Sequence, residues 1–521
     1  MPEYLHPGVY IEEIERGPRP IEGVPTSTAA LLGEAERGPI TPRLTTSYKD
    51  YQRWFGDVFG DNKFLPYAVN GFYENGGKRG FICRIVGDGA KTAEAAYGDF
   101  VVRAAGPGAW GNRVKVKISA GTTKDKEGTS VGFRIRLAYW SQQPTEDFDP
   151  FEDRFKTPRP SLMEDFDDLV TNETSPDFYG KRFPFIDPEK GETNQGPDSS
   201  ALGILVRKTG AAPGASPSQS IQQLDGGEDD QAALGTDDFR GALAVGRTVE
   251  QGLAALELDP YRDVALVYAP GVSTDIAKEI VIHCENMRFR FAVVDSSKGL
   301  IGSVEPRNTI NDTQYAAFYY PWIVISDPKT GARKLMPPGG HVLGVYARSD
   351  TERGVFKAPA NEIVRGALAV ECDINDRVQD DLNPKGINAI RSFPGRGIRV
   401  WGARTLTSNA LWKYVSVRRL FIFLERSIYE GTQWVVFEPN DDKLWARVTD
   451  TIRLFLRTQW RLGALLGRKE EEAFFITCDR TTMTQDDILN GRLICEIGIA
   501  PVRPAEFVIF RIFQHTAEAQ R

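Results

Sequence analysis

Groups that could do chemistry are few and scattered. The four histidines, His6, His283, His341 and His515, are spread over 521 residues. Metal centres and nucleophile–base pairs need several such side chains brought to one place. His283 with Cys284 falls in an apolar-periodic stretch and reads as buried structure. Gly106-Pro107-Gly108-Ala109-Trp110-Gly111 has dinucleotide-loop spacing, which requires a following helix whose N-terminus holds pyrophosphate. Here Asn112–Ile118 follows with strand alternation, so a glycine-rich turn is expected. Gly128-Thr129-Ser130-Val131-Gly132 has nucleophile-elbow spacing, but polar Thr122–Glu127 precedes it and a strand follows, which describes a hairpin turn. Gly71 lies one residue too far from Gly77-Lys78 for a P-loop, and Arg79 replaces the required hydroxyl. Asp147, Asp149, Glu152 and Asp153 lack the glycine and distal glutamate of a calcium loop. The expectation is no catalytic residue, no cofactor site and no metal site.

Composition narrows the class further. Charged residues make up 26% and hydrophobic ones 41%, with 64 basic residues against 71 acidic. That balance excludes a disordered or membrane-embedded chain and argues against a nucleic-acid partner, which would call for a basic surplus. Cys83, Cys284, Cys372, Cys478 and Cys495 are an odd set without a CxxC pair, and are expected to be reduced, mostly buried thiols. Neither a basic n-region nor an apolar h-region follows Met1, so cytoplasmic assembly is expected, with release by lysis. Apolar runs such as Phe507–Phe510 are far too short for direct membrane insertion.

The elements that must position these residues read as α/β. Ala29–Leu32 and Phe81–Val86 are strand-like around a helical Leu65–Tyr73. Later come strand Val264–Tyr268, helix Thr274–Met287 and strand Phe291–Val294, then a helix over Thr313–Tyr319 leading into strand Trp322–Ile325. Short apolar strands alternating with helices predict a mostly parallel sheet covered on both faces. Between these halves, Lys115–Ser119 and Phe133–Trp140 read as antiparallel strands in an acidic, Pro- and Gly-rich setting. Past residue 360, Leu411–Leu424, Lys443–Leu462 and Asp486–Asn490 read as helices, and Glu506–Phe513 as a strong terminal strand. The fold class is therefore α/β (α+β overall). Its expected parts are an extended arm at 1–22, a middle domain at 23–90 and 251–359, a loop-rich β-containing inserted domain at 91–250, and an α+β core domain at 360–521 completed by terminal strands, the last at 505–515.

Several longer motifs carry a resemblance. Pro7-Gly8-Val9-Tyr10 and Gly33 through Arg37-Gly38-Pro39 stand near the start. Pro338-Gly339-Gly340-His341-Val342-Leu343-Gly344 and Phe393-Pro394-Gly395-Arg396-Gly397 follow. Gly431-Thr432-Gln433-Trp434-Val435-Val436-Phe437-Glu438-Pro439-Asn440 and Pro501-Val502-Arg503-Pro504-Ala505-Glu506-Phe507 close the set. Taken in this order they resemble the sheath proteins of contractile phage tails and phage-tail-like contractile injection systems. The likeness covers roughly two thirds of the chain by the spread of these motifs and leaves out residues 120–250.

The resemblance implies a non-enzymatic subunit that assembles with itself, as hexameric rings stacked helically around an inner tube. It also implies baseplate and terminal cap partners, and contraction from a metastable extended state. The alternative, an α/β hydrolase-like enzyme on the middle domain, lacks an Asp-His-Ser triad in subtilisin order, since Ser130 precedes His341. Two sets of residues are candidates for assembly. Val9, Tyr10, Ile11 and Glu12 at one end, and Phe507, Val508, Ile509, Phe510 and Ile512 at the other, read as strands given to neighbouring subunits. Lys443, Arg447, Arg453, Arg457 and Arg461 fall within about 120° of one helix circumference. They are expected to face the inner tube, with Trp445, Val448, Ile452, Phe455 and Leu456 turned to the core.

Overall fold

The computed structural model describes residues 20–153, 155–191, 196–212, 214–241, 251–299 and 305–511. Two compact units divide the chain, one from Pro25 to Arg418 and one from residues up to Val24 together with Arg419 onward.

The larger unit is built on a nine-stranded sheet. Its strand order is Glu362–Ile363, Gly397–Val400, Ile387–Phe393, Ala316–Tyr320, Phe291–Asp295, Leu266–Tyr268, Ala29–Gly33, Gly80–Arg84 and Arg43–Thr45. The inner six run parallel, and the outer strands on both sides are antiparallel. Such strands are apolar on both faces because both faces are covered. Ala30, Val267, Ala292 and Phe318 meet Ile276, Ile280 and Cys284 of helix Thr274–Met287. On the opposite face Tyr319 bonds the Tyr346 hydroxyl at 2.6 Å, from helix Gly339–Arg353.

Helix Gly339–Arg353 also lies against helix Leu65–Glu74, and this explains its glycines. A Cβ on Gly340 would stand 2.5 Å from Ala68, and one on Gly344 would stand 2.5 Å from Asn75. The backbones touch where side chains would otherwise hold them apart.

The described residues between Arg84 and the strand Leu266–Tyr268 hold more regular structure than their composition suggests. They form two four-stranded sheets. Val114–Ala120 pairs antiparallel with Phe133–Tyr139, as its alternation predicts. The two sheets share a core containing Tyr97, Phe100, Ile135, Leu137 and Phe183. Chain entry and exit run side by side, with Lys91 N donating to Glu228 O at 2.8 Å.

Three expectations need correction. Thr313–Tyr319 is not a helix: Ala316–Tyr320 is a central strand of the parallel sheet. A short run that is apolar on both sides has no period to separate strand from buried helix. Trp322–Ile325 does contain a strand, Ile323–Ser326, but it belongs to a separate three-stranded antiparallel sheet. The α/β unit also does not end at 359, since Ile387–Phe393 pairs parallel with Ala316–Tyr320. That pairing is far apart in sequence, and the aromatic, basic composition past residue 360 hides it.

In the smaller unit, helix Asp442–Arg461 packs against a two-stranded antiparallel sheet, Phe474–Thr477 with Glu496–Ile499. Residues 20–24 lie along the latter part of helix Val415–Gly431: Val24 N donates to Ser427 Oγ at 3.2 Å, and Ile21 is buried. The described part of the expected terminal strand, Glu506–Arg511, joins no strand among the described residues of its own chain. A strand needs a partner ladder, and its sequence propensity does not supply one.

Candidate assembly surface

Helix Asp442–Arg461 starts where Asp441 accepts from Leu444 N at 2.9 Å, a charge-assisted cap. Its inward stripe is Leu444, Trp445, Val448, Thr451, Ile452, Phe455 and Leu456, all buried. That includes every apolar residue expected to face the core. The basic stripe lies on the other side, but it is not a row of free cations. Arg447 stacks over the Trp434 ring at 4.6 Å and lies 3.7 Å from Glu438. Arg453 reaches Asp450 at 3.6 Å and Glu470 at 3.8 Å. Arg457 donates twice to Glu470, at 2.6 and 3.1 Å. Hydrogen bonding from Arg457 holds the Glu470 carboxyl below its usual range, with Arg453 and Arg461 adding attraction. Lys443 and Arg461 form no ion pair among the described residues and are exposed.

Glu438 and Glu470 are the residues that reading by helical period misses. Glu438 comes from the loop before the helix and Glu470 opens the short helix Glu470–Ala473 after it, so no spacing along the long helix marks them.

The terminal segment has the opposite character. Phe507, Val508, Ile509 and Phe510 are 70%, 67%, 78% and 84% exposed. On the two-stranded sheet Phe474 is buried while Phe475 is 58% exposed. Each of its strands pairs only with the other among the described residues, so their outer edges keep free backbone donors and acceptors. Val9, Tyr10, Ile11, Glu12 and Ile512 lie outside the described residues.

The residues weighed for chemistry have other partners. His283 Nε2 accepts from Arg290 at 2.7 Å, and burial pushes its pKa down to about 3. His341 is buried against Gly71, with its pKa pushed down to about 4 by burial. The acidic cluster is tied to neighbouring strands: Lys117 holds Asp149 at 2.5 Å and Glu152 at 3.0 Å, Arg136 holds Glu152 at 3.3 Å, and Lys115 pairs with Asp147. In the 106–111 loop, Ala109 N donates to Asp229 at 3.0 Å, and a strand follows at Val114. Gly128, with φ of 84°, sits in the turn closed by the Lys124–Ser130 bridge. No described helix is long and apolar enough to cross a membrane.

Comparison with known proteins gives these features a family. The chain matches the phage tail sheath protein central domain over residues 244–406 and the phage tail sheath C-terminal domain over 407–515. It is 27% identical over 213 residues to the tail sheath protein of Burkholderia phage BcepMu, covering 39% of this chain and 43% of that protein. The chain spans less than half the length of the curated relatives it matches. Among solved structures, the sheath complex of an extracellular contractile injection system in the contracted state shares the fold. It has a TM-score of 0.57 and 23% identity, and the match covers 100% of both chains. The contracted helical sheath of the anti-feeding prophage matches likewise, with a TM-score of 0.57, 24% identity, and 98% and 99% of the two chains covered. Nothing in these matches supports the hydrolase alternative. Its two matched regions together span more than half of the sequence, and the chain belongs to the phage tail sheath family.

Proposed function

We propose that this chain is a structural, non-enzymatic sheath subunit that assembles with copies of itself around an inner tube and contracts to drive that tube forward. Hexameric rings stacked helically, a baseplate at one end and a cap at the other complete the particle. The observation that carries the reading is the exposed apolar segment Phe507–Phe510 in a unit whose only described sheet has two strands. Apolar strand-forming residues left in water are an aggregation liability unless another chain covers them. Strand addition to a neighbour's Phe474–Thr477 and Glu496–Ile499 sheet would bury them with main-chain hydrogen bonds. Residues 9–14 would serve the same purpose at the other end, tethered through Gly17-Pro18-Arg19-Pro20.

The basic stripe is the proposed tube-facing surface. Its partly neutralised state suits a contact that must release as the sheath moves, since exposed ion pairs are individually weak and screened by salt. Electron microscopy of the purified chain tests the assembly. Long hollow tubes are expected from the full chain, and folded, non-assembling protein after removal of residues 505–521. Normal tubes from the truncated chain would overturn strand donation.

A further inference from the structure

Two of the five thiols meet across the small sheet. Phe474 pairs with Ile499, Phe475 with Gly498, Ile476 with Ile497 and Thr477 with Glu496, so the next opposed pair is Cys478 and Cys495. Ala500 N donates to Ala473 O at 2.9 Å, which makes 473 and 500 a hydrogen-bonded pair. Such pairs alternate along an antiparallel ladder. Thr477 with Glu496 is therefore hydrogen-bonded, and Cys478 with Cys495 falls at a non-hydrogen-bonded site. There the Cα atoms of opposed residues come to about 4.5 Å, with side chains on one face. A disulfide accepts Cα separations of about 4.4–6.8 Å. The two thiols lie within hydrogen-bonding reach of each other. Both share the face of buried Phe474; Cys478 is 8% exposed and Cys495 more so.

We infer that Cys478 and Cys495 form a reversible, oxidant-driven disulfide that clamps this hairpin at the base of its connecting loop. The more accessible Cys495 thiolate attacks a small-molecule disulfide such as oxidised glutathione and releases one glutathione thiolate. The Cys478 thiolate then attacks the Cys495 sulfur of the mixed disulfide and releases the second. The two protein thiols give up two protons and two electrons, and the glutathione disulfide is reduced to two thiols. Burial raises the Cys478 thiol and pushes Cys495 up to about 12, so the pair reacts slowly at neutral pH and stays reduced where oxidant is scarce. Once formed, the bond closes the loop that carries helix Gln485–Leu489 and restrains the unfolded chain.

The test is to incubate the full chain with oxidised glutathione, block remaining thiols, digest without reduction and weigh the peptides. A linked Cys478–Cys495 pair is expected, while Cys83, Cys284 and Cys372 stay free. Thermal unfolding should move up by several degrees, and a reductant should reverse the shift. Cys495→Ser should keep the reduced protein's unfolding temperature and lose both the link and the shift. Glutathione adducts that never resolve, links between chains, or an unreacted pair in excess oxidant would overturn the inference. A linked pair with no thermal shift would overturn the clamp.

Discussion

Arg457 and Glu470 form a two-pronged ion pair, at 2.6 and 3.1 Å, in the middle of the basic stripe of helix Asp442–Arg461. One carboxylate from outside the helix thereby quiets Arg457 and leans on Arg453. On the stripe proposed to face the tube, unpaired charge is left mainly to Lys443 and Arg461. Reversing those two to Glu should release an inner tube from extended sheaths at low salt, seen as severalfold loss in copurification. Glu470→Gln should act oppositely and raise the salt concentration needed for release. Unchanged copurification in both variants would remove the stripe from the tube contact.

Gly344 separates two helices by the width of a backbone. A side chain there would meet Asn75 and the Phe72 carbonyl, each 2.5 Å from the added Cβ. Gly344→Leu should destabilise the α/β unit by about 1–3 kcal/mol or more, the usual cost of overpacking. Chemical denaturation would show a lower midpoint with an unchanged slope.

Acid and base pull the large unit in opposite directions. The folded-state pKa values of His283 and His341 are about 3 and about 4, below the ordinary 6.5. Between those values the unfolded chain binds more protons, so stability falls as pH drops below 6.5 and levels off only below the folded values. Asp295 is the reverse: burial raises its pKa from 3.8 to about 7. Its folded form keeps a proton that the unfolded chain releases, so its contribution falls as pH rises from 3.8 to 7. Two histidines outweigh one carboxyl, and net stability should climb with pH across this window. Asp295→Asn should steepen that climb, measured by urea titrations at pH 4.5, 5.5 and 6.5.

The inserted sheets can be removed at the point where they enter and leave. Lys91 and Glu228 are bonded across the two connections, so a short Gly-Ser linker can replace the residues between them. The inserted core is its own cluster, and the nine-stranded sheet should still fold. Some stability will go, because Tyr139 of the insertion donates to Glu36 at 2.7 Å. Tubes should still form if this block faces outward; soluble, folded subunits without tubes would show that it cements neighbours.

Much of this protein was legible in its residues. Helix Thr274–Met287 has the predicted bounds because its apolar period and its Ser273 cap agree. The inward stripe of helix Asp442–Arg461 follows from spacing alone. The family was readable from motifs such as Gly339–Gly344, whose small residues the helix contact requires. Tertiary structure decided what depends on partners distant in sequence. Ala316–Tyr320 became a strand because two neighbouring strands supply its hydrogen bonds, and Ile387–Phe393 extended the same sheet past its expected boundary. Glu470 neutralised Arg457 because folding brought a carboxylate from the next helix, Glu470–Ala473, against it. Phe507–Phe510, equally apolar, found no ladder among the described residues of its own chain. Propensity and period are local quantities, whereas pairing, burial and charge compensation are settled only when distant segments meet.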